Sequence, residues 1–358
     1  MLIRLSIQNI SKKKEESIMK KIISVLLAAM MAVSLFAACG STSASFASSA
    51  SLGTASAGTE SQQIFKVGIL QYVQHTSLDE ISAAITAQLT KLAADNNIEI
   101  QVDLQNAQGD MSNISTIATQ FAGDKVDLII AIATPAAQGA AAAIEGTGIP
   151  LIFSAVTDPV AAELVNSMDA PGGSITGTSD AIPVSNIFDL ALQLTPDVKT
   201  FGLMYCTSEV NSVTVIEQAK EYLSGAGLAY EEGAVTTAAD VQTSAQVLIS
   251  KVDAVFVPID NIVATAMSVL AEEAIKAGKP VYVAADSMVQ DGGLASVGVN
   301  YTNLGTQTAD MAYRVLTGAD PATTPVEVLN ETNIVVNKTT AAAIGVDISK
   351  ANATTVVE

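Results

Sequence analysis

Val126-Asp127-Leu128-Ile129-Ile130-Ala131-Ile132-Ala133-Thr134-Pro135-Ala136-Ala137 is the stretch that decides the fold. Residues 126–132 form a nearly continuous apolar run, as a strand does when both faces of its sheet are covered. Pro135 follows at once, at a position proline tolerates only where a helix begins. A buried strand running straight into a helix predicts a parallel α/β sheet.

The same rhythm extends outward in both directions. Residues 65–70 read as a buried strand, and Leu78, Ile81, Ile85, Leu89 and Leu92 then share one helical face. Thr76 and Asp79 have capping-box spacing. Residues 98–104 are the next strand, and Ile114, Ile117, Ala118 and Phe121 the next helical stripe. Leu151-Ile152-Phe153 follows Gly148-Ile149-Pro150 as a short strand. After Pro183 the pattern restarts with strands at 201–205, 228–235, 252–257 and 281–283, and helices at 213–223, around Val241, Ala245 and Leu248, and at 262–277. A helix at 305–316 and one strand at 326–336 close the chain. The expected fold is α/β, two doubly wound parallel-sheet domains.

Composition limits the function. The 358 residues carry 17 Lys+Arg against 36 Asp+Glu, a net charge of −19. That balance opposes nucleic-acid binding, which needs a basic surface. One histidine cannot supply a multi-histidine metal site, and two cysteines cannot build a disulfide framework. The signatures of a P-loop, a Rossmann turn, a nucleophile elbow, a zinc helix and a redox dithiol are absent from residue 64 onward. No enzyme activity, metal or cofactor is expected.

The first 63 residues read as an address. Met19-Lys20-Lys21 precedes an apolar run over 22–38, a charged segment and a hydrophobic segment of a signal peptide. Leu35-Phe36-Ala37-Ala38-Cys39 resembles a bacterial lipobox, so 19–38 is expected to be a lipoprotein signal peptide and Cys39 its lipidated residue. Residues 1–18 are expected to be translated leader before a start at Met19, since codons for Lys14-Glu15-Glu16 can contain a ribosome-binding sequence. Residues 40–63 are 24 in number, 19 of them Ser, Thr, Ala or Gly, the composition of a flexible tether. Loss of residues 1–38 leaves 11 basic against 34 acidic side chains. So acidic a body is repelled by anionic lipid, and the lipid chain has to do the anchoring.

In open α/β sheets, ligands bind at the carboxyl ends of the strands. The residues there are Gln71, Tyr72 and His75; Thr134, Pro135 and Ala136; Ser154 and Asp158; Ser208, Glu209, Asn211 and Ser212; Asp260 and Asn261; and Asp286. Helix N-termini near Thr134 and Ser208 suit a carboxylate, and Asp260 or Asp286 suits an ammonium. Thr134 and Ser154 are assigned to the carboxylate, and Asn211, Ser212 and Asn261 to orienting the ligand. The competing use of each is an ordinary N-cap. Tyr72, Phe153 and Tyr301 are the candidates for lining a slot for a ring.

These segments resemble the extracytoplasmic substrate-binding proteins of ABC transporters, and within them the tryptophan/tyrosine-binding (TrpX-like) family. The resemblance is carried by Val67-Gly68-Ile69 with His75, by Ala133-Thr134-Pro135-Ala136-Ala137, and by Phe153-Ser154-Ala155-Val156-Thr157-Asp158-Pro159. It continues through Gly173-Ser174-Ile175-Thr176-Gly177, Ser208-Glu209-Val210-Asn211-Ser212, Val257-Pro258-Ile259-Asp260-Asn261 and Ala295-Ser296-Val297-Gly298 with Tyr301. It implies the type I periplasmic-binding-protein fold, with a three-crossing hinge near 178–183, 299–302 and 317–325. The N-terminal lobe is then 64–180 plus 301–318, and the C-terminal lobe 181–300 plus 319–358. It also implies a monomer, lipid-anchored to the outer face of a bacterial cell membrane, that binds an amino acid, expected to be aromatic, and passes it to permease and ATPase subunits.

Three rival readings share this scaffold: a sensor signalling to a membrane receptor, an importer component for another small amino acid or peptide, and a secreted enzyme using His75 with Asp79. A cytosolic repressor is opposed by the secretory signal standing where a DNA-binding helix pair belongs.

Overall fold

The computed structural model describes residues 63–329 and 332–358. The expected leader, signal peptide and lipidated Cys39, and nearly all of the expected tether, lie outside the described residues.

Two sheets organise the chain. The first has six strands, all parallel. Its interior is β3 (Leu128–Ile132), flanked by β1 (Ile64–Gln71) and β4 (Leu151–Ser154). β2 (Glu99–Asn106) lies outside β1, and β5 (Ile175–Ser179) with β11 (Glu327–Val328) outside β4. All five residues of β3 are buried, so the opening stretch is the apolar centre that its composition predicts. Helices α1 (Thr76–Asp95), α2 (Met111–Gly123), α3 (Thr134–Ala143) and α10 (Tyr301–Leu316) pack with this sheet. The predicted stripe of α1 is inside, with Leu78, Ile81, Ile85 and Leu89 buried.

The second sheet has seven strands. β6 (Thr200–Cys206), β7 (Ala229–Val235), β8 (Ala254–Val257), β9 (Val281–Val283) and β10 (Ala295–Val299) are parallel. β12 (Thr332–Asn337) joins β10 antiparallel, and β13 (Thr355–Val357) runs alongside it. Helices α4 (Val184–Leu194), α5 (Val210–Gly225), α6 (Val241–Ile249), α7 (Asn261–Thr265), α8 (Met267–Lys276), α9 (Asp286–Gln290) and α11 (Lys338–Ile344) complete this half.

Four expectations change in detail. The helix at 262–277 is two helices, α7 and α8, which meet at Ala266 with φ −117°. The strand at 326–336 is also two: β11 pairs with β5 in the first sheet, and β12 with β10 in the second. The chain therefore returns to the second sheet after Val328, later than 317–325. Thr76 and Asp79 form no capping box, because the helix starts one residue earlier than that pattern requires: His75 is the N-cap and makes no side-chain cap bond. Asp79 Oδ1 instead accepts the Gln71 Nε2 proton at 2.7 Å.

One close approach fixes the geometry of the first lobe. A Cβ on Gly305 of α10 would stand 2.7 Å from the Ile81 carbonyl oxygen of α1. Glycine lets these two helix backbones touch, and each helix begins at the space between the lobes.

Candidate functional site

Both sheets turn the carboxyl ends of their parallel strands toward a shared space. There a small cavity, of about 20 Å³, lies between the lobes. The first lobe contributes His75, Ser77, Leu78 and Ala155, and the second Asn211, Ile259, Asp260, Asn261, Ala264, Ala285 and Met288. Asp180, just after β5, and Tyr301, just after β10, line it from two of the crossings. Ala155 adopts φ +55°, a left-handed conformation that turns the chain sharply after β4.

The lobes touch directly here. His75 Nε2 lies 3.2 Å from Asn261 Oδ1. Ser77 Oγ lies 2.5 Å from Ser287 Oγ, and both residues are buried.

Glu209 organises the second-lobe wall. It is fully buried. It accepts from Asn261 Nδ2 at 2.6 Å, Asn261 N at 3.2 Å, Ile262 N at 3.1 Å and Asn211 Nδ2 at 3.3 Å. Burial, then the nearby Asp260 carboxylate, push its carboxyl up to about 8. Asp260 Oδ1 accepts from Val263 N at 2.8 Å and Oδ2 from Cys206 N at 2.6 Å. Both Asp260 oxygens are thus engaged by backbone, the N-cap use weighed above.

Because Asn261 Nδ2 faces Glu209, the Asn261 oxygen faces His75. An amide oxygen only accepts, so Nε2 of His75 carries the proton and Nδ1 is left with a lone pair. Burial holds the His75 imidazole below its ordinary value, and the ring is neutral at pH 7.

Three buried acceptors on this cavity have no partner: His75 Nδ1, Asp180 Oδ2 and Asn211 Oδ1. Buried polar atoms are rarely left this way, and such a set marks a place built for donors. Asp180 carries the only carboxylate oxygen among them. It is wholly buried, and its Oδ1 accepts the Thr157 hydroxyl at 2.9 Å. Burial pushes its carboxyl up to about 6. The Tyr301 hydroxyl lies beside it, itself raised far above its ordinary value by burial and by neighbouring Asp180.

A larger open groove of about 610 Å³ follows β7 and α6, lined by Glu232, Asp240 and Lys251 among others. None of the unpartnered buried side-chain atoms among the described residues belongs to it.

Of the residues selected from sequence, His75, Asn211, Asp260, Asn261 and Tyr301 line the cavity. Glu209 and Ser212 are buried behind them, with Ser212 Oγ 3.4 Å from the Ile259 carbonyl. Gln71 ties its own loop to Asp79 and Val73. Thr134, Pro135 and Ala136 are buried at the start of α3 and Tyr72 is buried near Glu209 and Asp260, and none of the four lines the cavity. Ser154 Oγ is bonded to Thr308 Oγ1 at 2.7 Å inside the first lobe, and Phe153 is fully buried core. Asp158 caps Ala161 N, Ser208 is exposed beside Cys206, and Asp286 accepts from Ser287 N. Asp180, Ser77 and Met288 were missed. An acidic residue directly after a strand was a signal for Asp180, masked by its place in a crossing.

Among the described residues, no group of three potential metal-ligating side chains comes together. No helix among them is long and apolar enough to cross a membrane.

Residues 66–355 match the family described as ABC transporter substrate binding protein. A tyrosine-binding protein of Clostridioides difficile is 35% identical over 325 residues, covering 91% of this chain and 92% of that one. The ABC domain from Streptococcus pneumoniae solved in complex with L-Trp has 39% identity and a TM-score of 0.79, covering 82% of this chain and 100% of that one. The ligand-free, open structure of a Clostridium difficile substrate-binding protein with adhesive properties has 38% identity but a TM-score of 0.64, over 82% and 99%. At nearly equal identity, the chain superposes better on the complex than on the open form.

Proposed function

The chain belongs to the ABC transporter substrate-binding protein family, and from that premise we propose that it captures tryptophan or tyrosine between its lobes and hands it to a permease. It is a binding protein rather than an enzyme. The observation that carries the ligand class is Asp180 Oδ2, a buried carboxylate oxygen with no partner in a cavity otherwise walled largely by Leu78, Ala155, Ile259, Ala264, Ala285 and Met288. A buried carboxylate without a countercharge costs several kcal/mol, a cost that an ammonium reduces. The ligand carboxylate goes to the start of α1, a 20-residue helix whose N-cap gives no side-chain bond and whose Ser77 and Leu78 line the cavity. The apolar wall takes the side chain. The relatives named for tyrosine and solved with L-Trp support an aromatic one.

Anchoring through a lipid on Cys39 and delivery to permease and ATPase subunits complete the proposal. They rest on the lipobox and the family. The test is calorimetry on the full chain after unfolding and refolding strip any carried ligand. Tryptophan or tyrosine should bind at micromolar strength, about −8 kcal/mol. If no free amino acid binds, the reading fails.

A further inference from the structure

One contact between the lobes depends on a residue that does not line the cavity. His75 Nε2, at the N-cap of α1, donates to Asn261 Oδ1 at 3.2 Å, in the first residue of α7. A side-chain amide can turn either its oxygen or its nitrogen toward a neighbour, and only the oxygen accepts. Glu209 removes that choice. Its Oε2 accepts from Asn261 Nδ2 at 2.6 Å, from Asn261 N at 3.2 Å and from Asn211 Nδ2 at 3.3 Å, and its Oε1 accepts from Ile262 N at 3.1 Å. Three donors converge on Oε2, so a proton on this carboxyl has its place on Oε1. The Asn261 amide is therefore held the same way whether Glu209 is charged or neutral. Glu209 is wholly buried, and the partners just named all belong to the second lobe. In the first lobe Tyr72 lies near it, with no hydrogen bond between them.

We propose that Glu209 is a positioning residue for ligand retention: by fixing the Asn261 amide it sustains the His75–Asn261 contact that keeps the loaded lobes together, and so slows release of a ligand it does not touch. This rests on the amino-acid reading above and adds to it what governs the lifetime of the complex. The contact forms only when the lobes meet, so its loss is felt in dissociation more than in the first encounter. An Asn261 amide without Glu209 is free to turn, and a turned amide leaves the His75 N–H facing another donor.

The test follows release of L-tryptophan from the ligand-stripped and reloaded full chain. The chain has no tryptophan of its own, so the fluorescence of the bound amino acid reports its departure. Radiolabelled L-tyrosine gives the same rates if tyrosine is the tighter ligand. In Glu209→Leu the dissociation rate should rise about threefold or more, with the association rate changed less than about twofold. Glu209→Gln, which keeps an oxygen for the Asn261 donors, should recover most of that loss. In a His75→Phe background Glu209→Leu should add little, because the contact it serves is already gone. An equal rise in both backgrounds overturns the inference and moves the effect to Tyr72 or to general damage. Unchanged release in folded Glu209→Leu overturns it too. Thermal melts check folding, and Glu209→Asp, whose shorter carboxylate withdraws from Asn261, replaces a Leu variant that does not fold. His75→Phe alone should also speed release by about threefold or more. Failure there overturns the inference whatever the Glu209 variants do. If calorimetry finds no binding of L-tryptophan or L-tyrosine to the wild type, the reading underneath is overturned and this inference with it.

Discussion

Ser77 Oγ and Ser287 Oγ stand 2.5 Å apart, one in the first turn of α1 and the other in α9, and so join the two lobes through a buried hydrogen bond besides that of His75 to Asn261. A bond of this kind exists only while the lobes are together. Its worth therefore belongs to closure, not to the folding of either lobe.

Ser77→Ala and Ser287→Ala should each weaken ligand binding by about 0.5–1.5 kcal/mol, the usual net value of such a bond. The double variant should lose less than the sum of the two. A double-mutant cycle on calorimetric affinities measures the coupling. Additive losses would show that the two hydroxyls act separately.

Asp180→Asn should lower affinity for an amino acid at least tenfold, about 1.4 kcal/mol or more. The wild-type affinity should also depend on pH. With its carboxyl near 6 in the unliganded protein, Asp180 must shed a proton to meet an ammonium, so binding strengthens as pH rises through about 6. Calorimetry at several pH values should show this rise in the wild type and a flatter profile in Asp180→Asn.

Glu209→Gln tests the buried acid behind the wall. Its folded value, about 8, lies above its ordinary value of 4.5. The folded state therefore holds a proton that the unfolded chain releases, and wild-type stability falls as pH rises between those values. The glutamine variant has no such proton, so its stability relative to wild type should climb by a few kcal/mol from pH 4.5 to 8. Urea melts across this range check the sign, and a constant difference would refute it.

Gly305→Val should destabilise the fold by about 1–3 kcal/mol through overpacking. The added carbon would meet both Ile81 O at 2.7 Å and Ala84 Cβ at 2.8 Å. Because α10 begins with Tyr301 and α1 carries Ser77, the same substitution should weaken ligand binding in whatever folded fraction remains. Thermal melts and titration together separate the two effects.

The architecture was legible because β3 is a nearly unbroken apolar run, and helix stripes such as Leu78, Ile81, Ile85 and Leu89 repeat at the right spacing. The site was less so. Strand ends can be read from a pattern, but which of their polar groups stays unpaired depends on partners far away in sequence. Asp260 looked like an ammonium ligand and is held by Cys206 N, 54 residues earlier. Ser154 looked like a carboxylate ligand and is bonded to Thr308, 154 residues later. Asp180 sits in Thr178-Ser179-Asp180-Ala181-Ile182-Pro183, which reads as a connection, and only the packing around it exposes a carboxylate oxygen with nothing to bond. The two-residue β11 is too short to show any periodicity, which is why its membership of the first sheet was missed.

Thr308 has a further consequence, for the order in which the molecule assembles. Its hydroxyl donates to Leu304 O and accepts from both Ser154 and Thr178, each at 2.7 Å. All three side chains are wholly buried. The first lobe therefore keeps two inward hydroxyls unanswered until α10 arrives, after every parallel strand of the second sheet has been synthesised. A nascent chain ending soon after Ser179 already holds five strands of the first sheet and still lacks the residue that seals its interior. Maturation of the N-terminal half waits on the C-terminal quarter, a long-range dependence of the kind that slows folding.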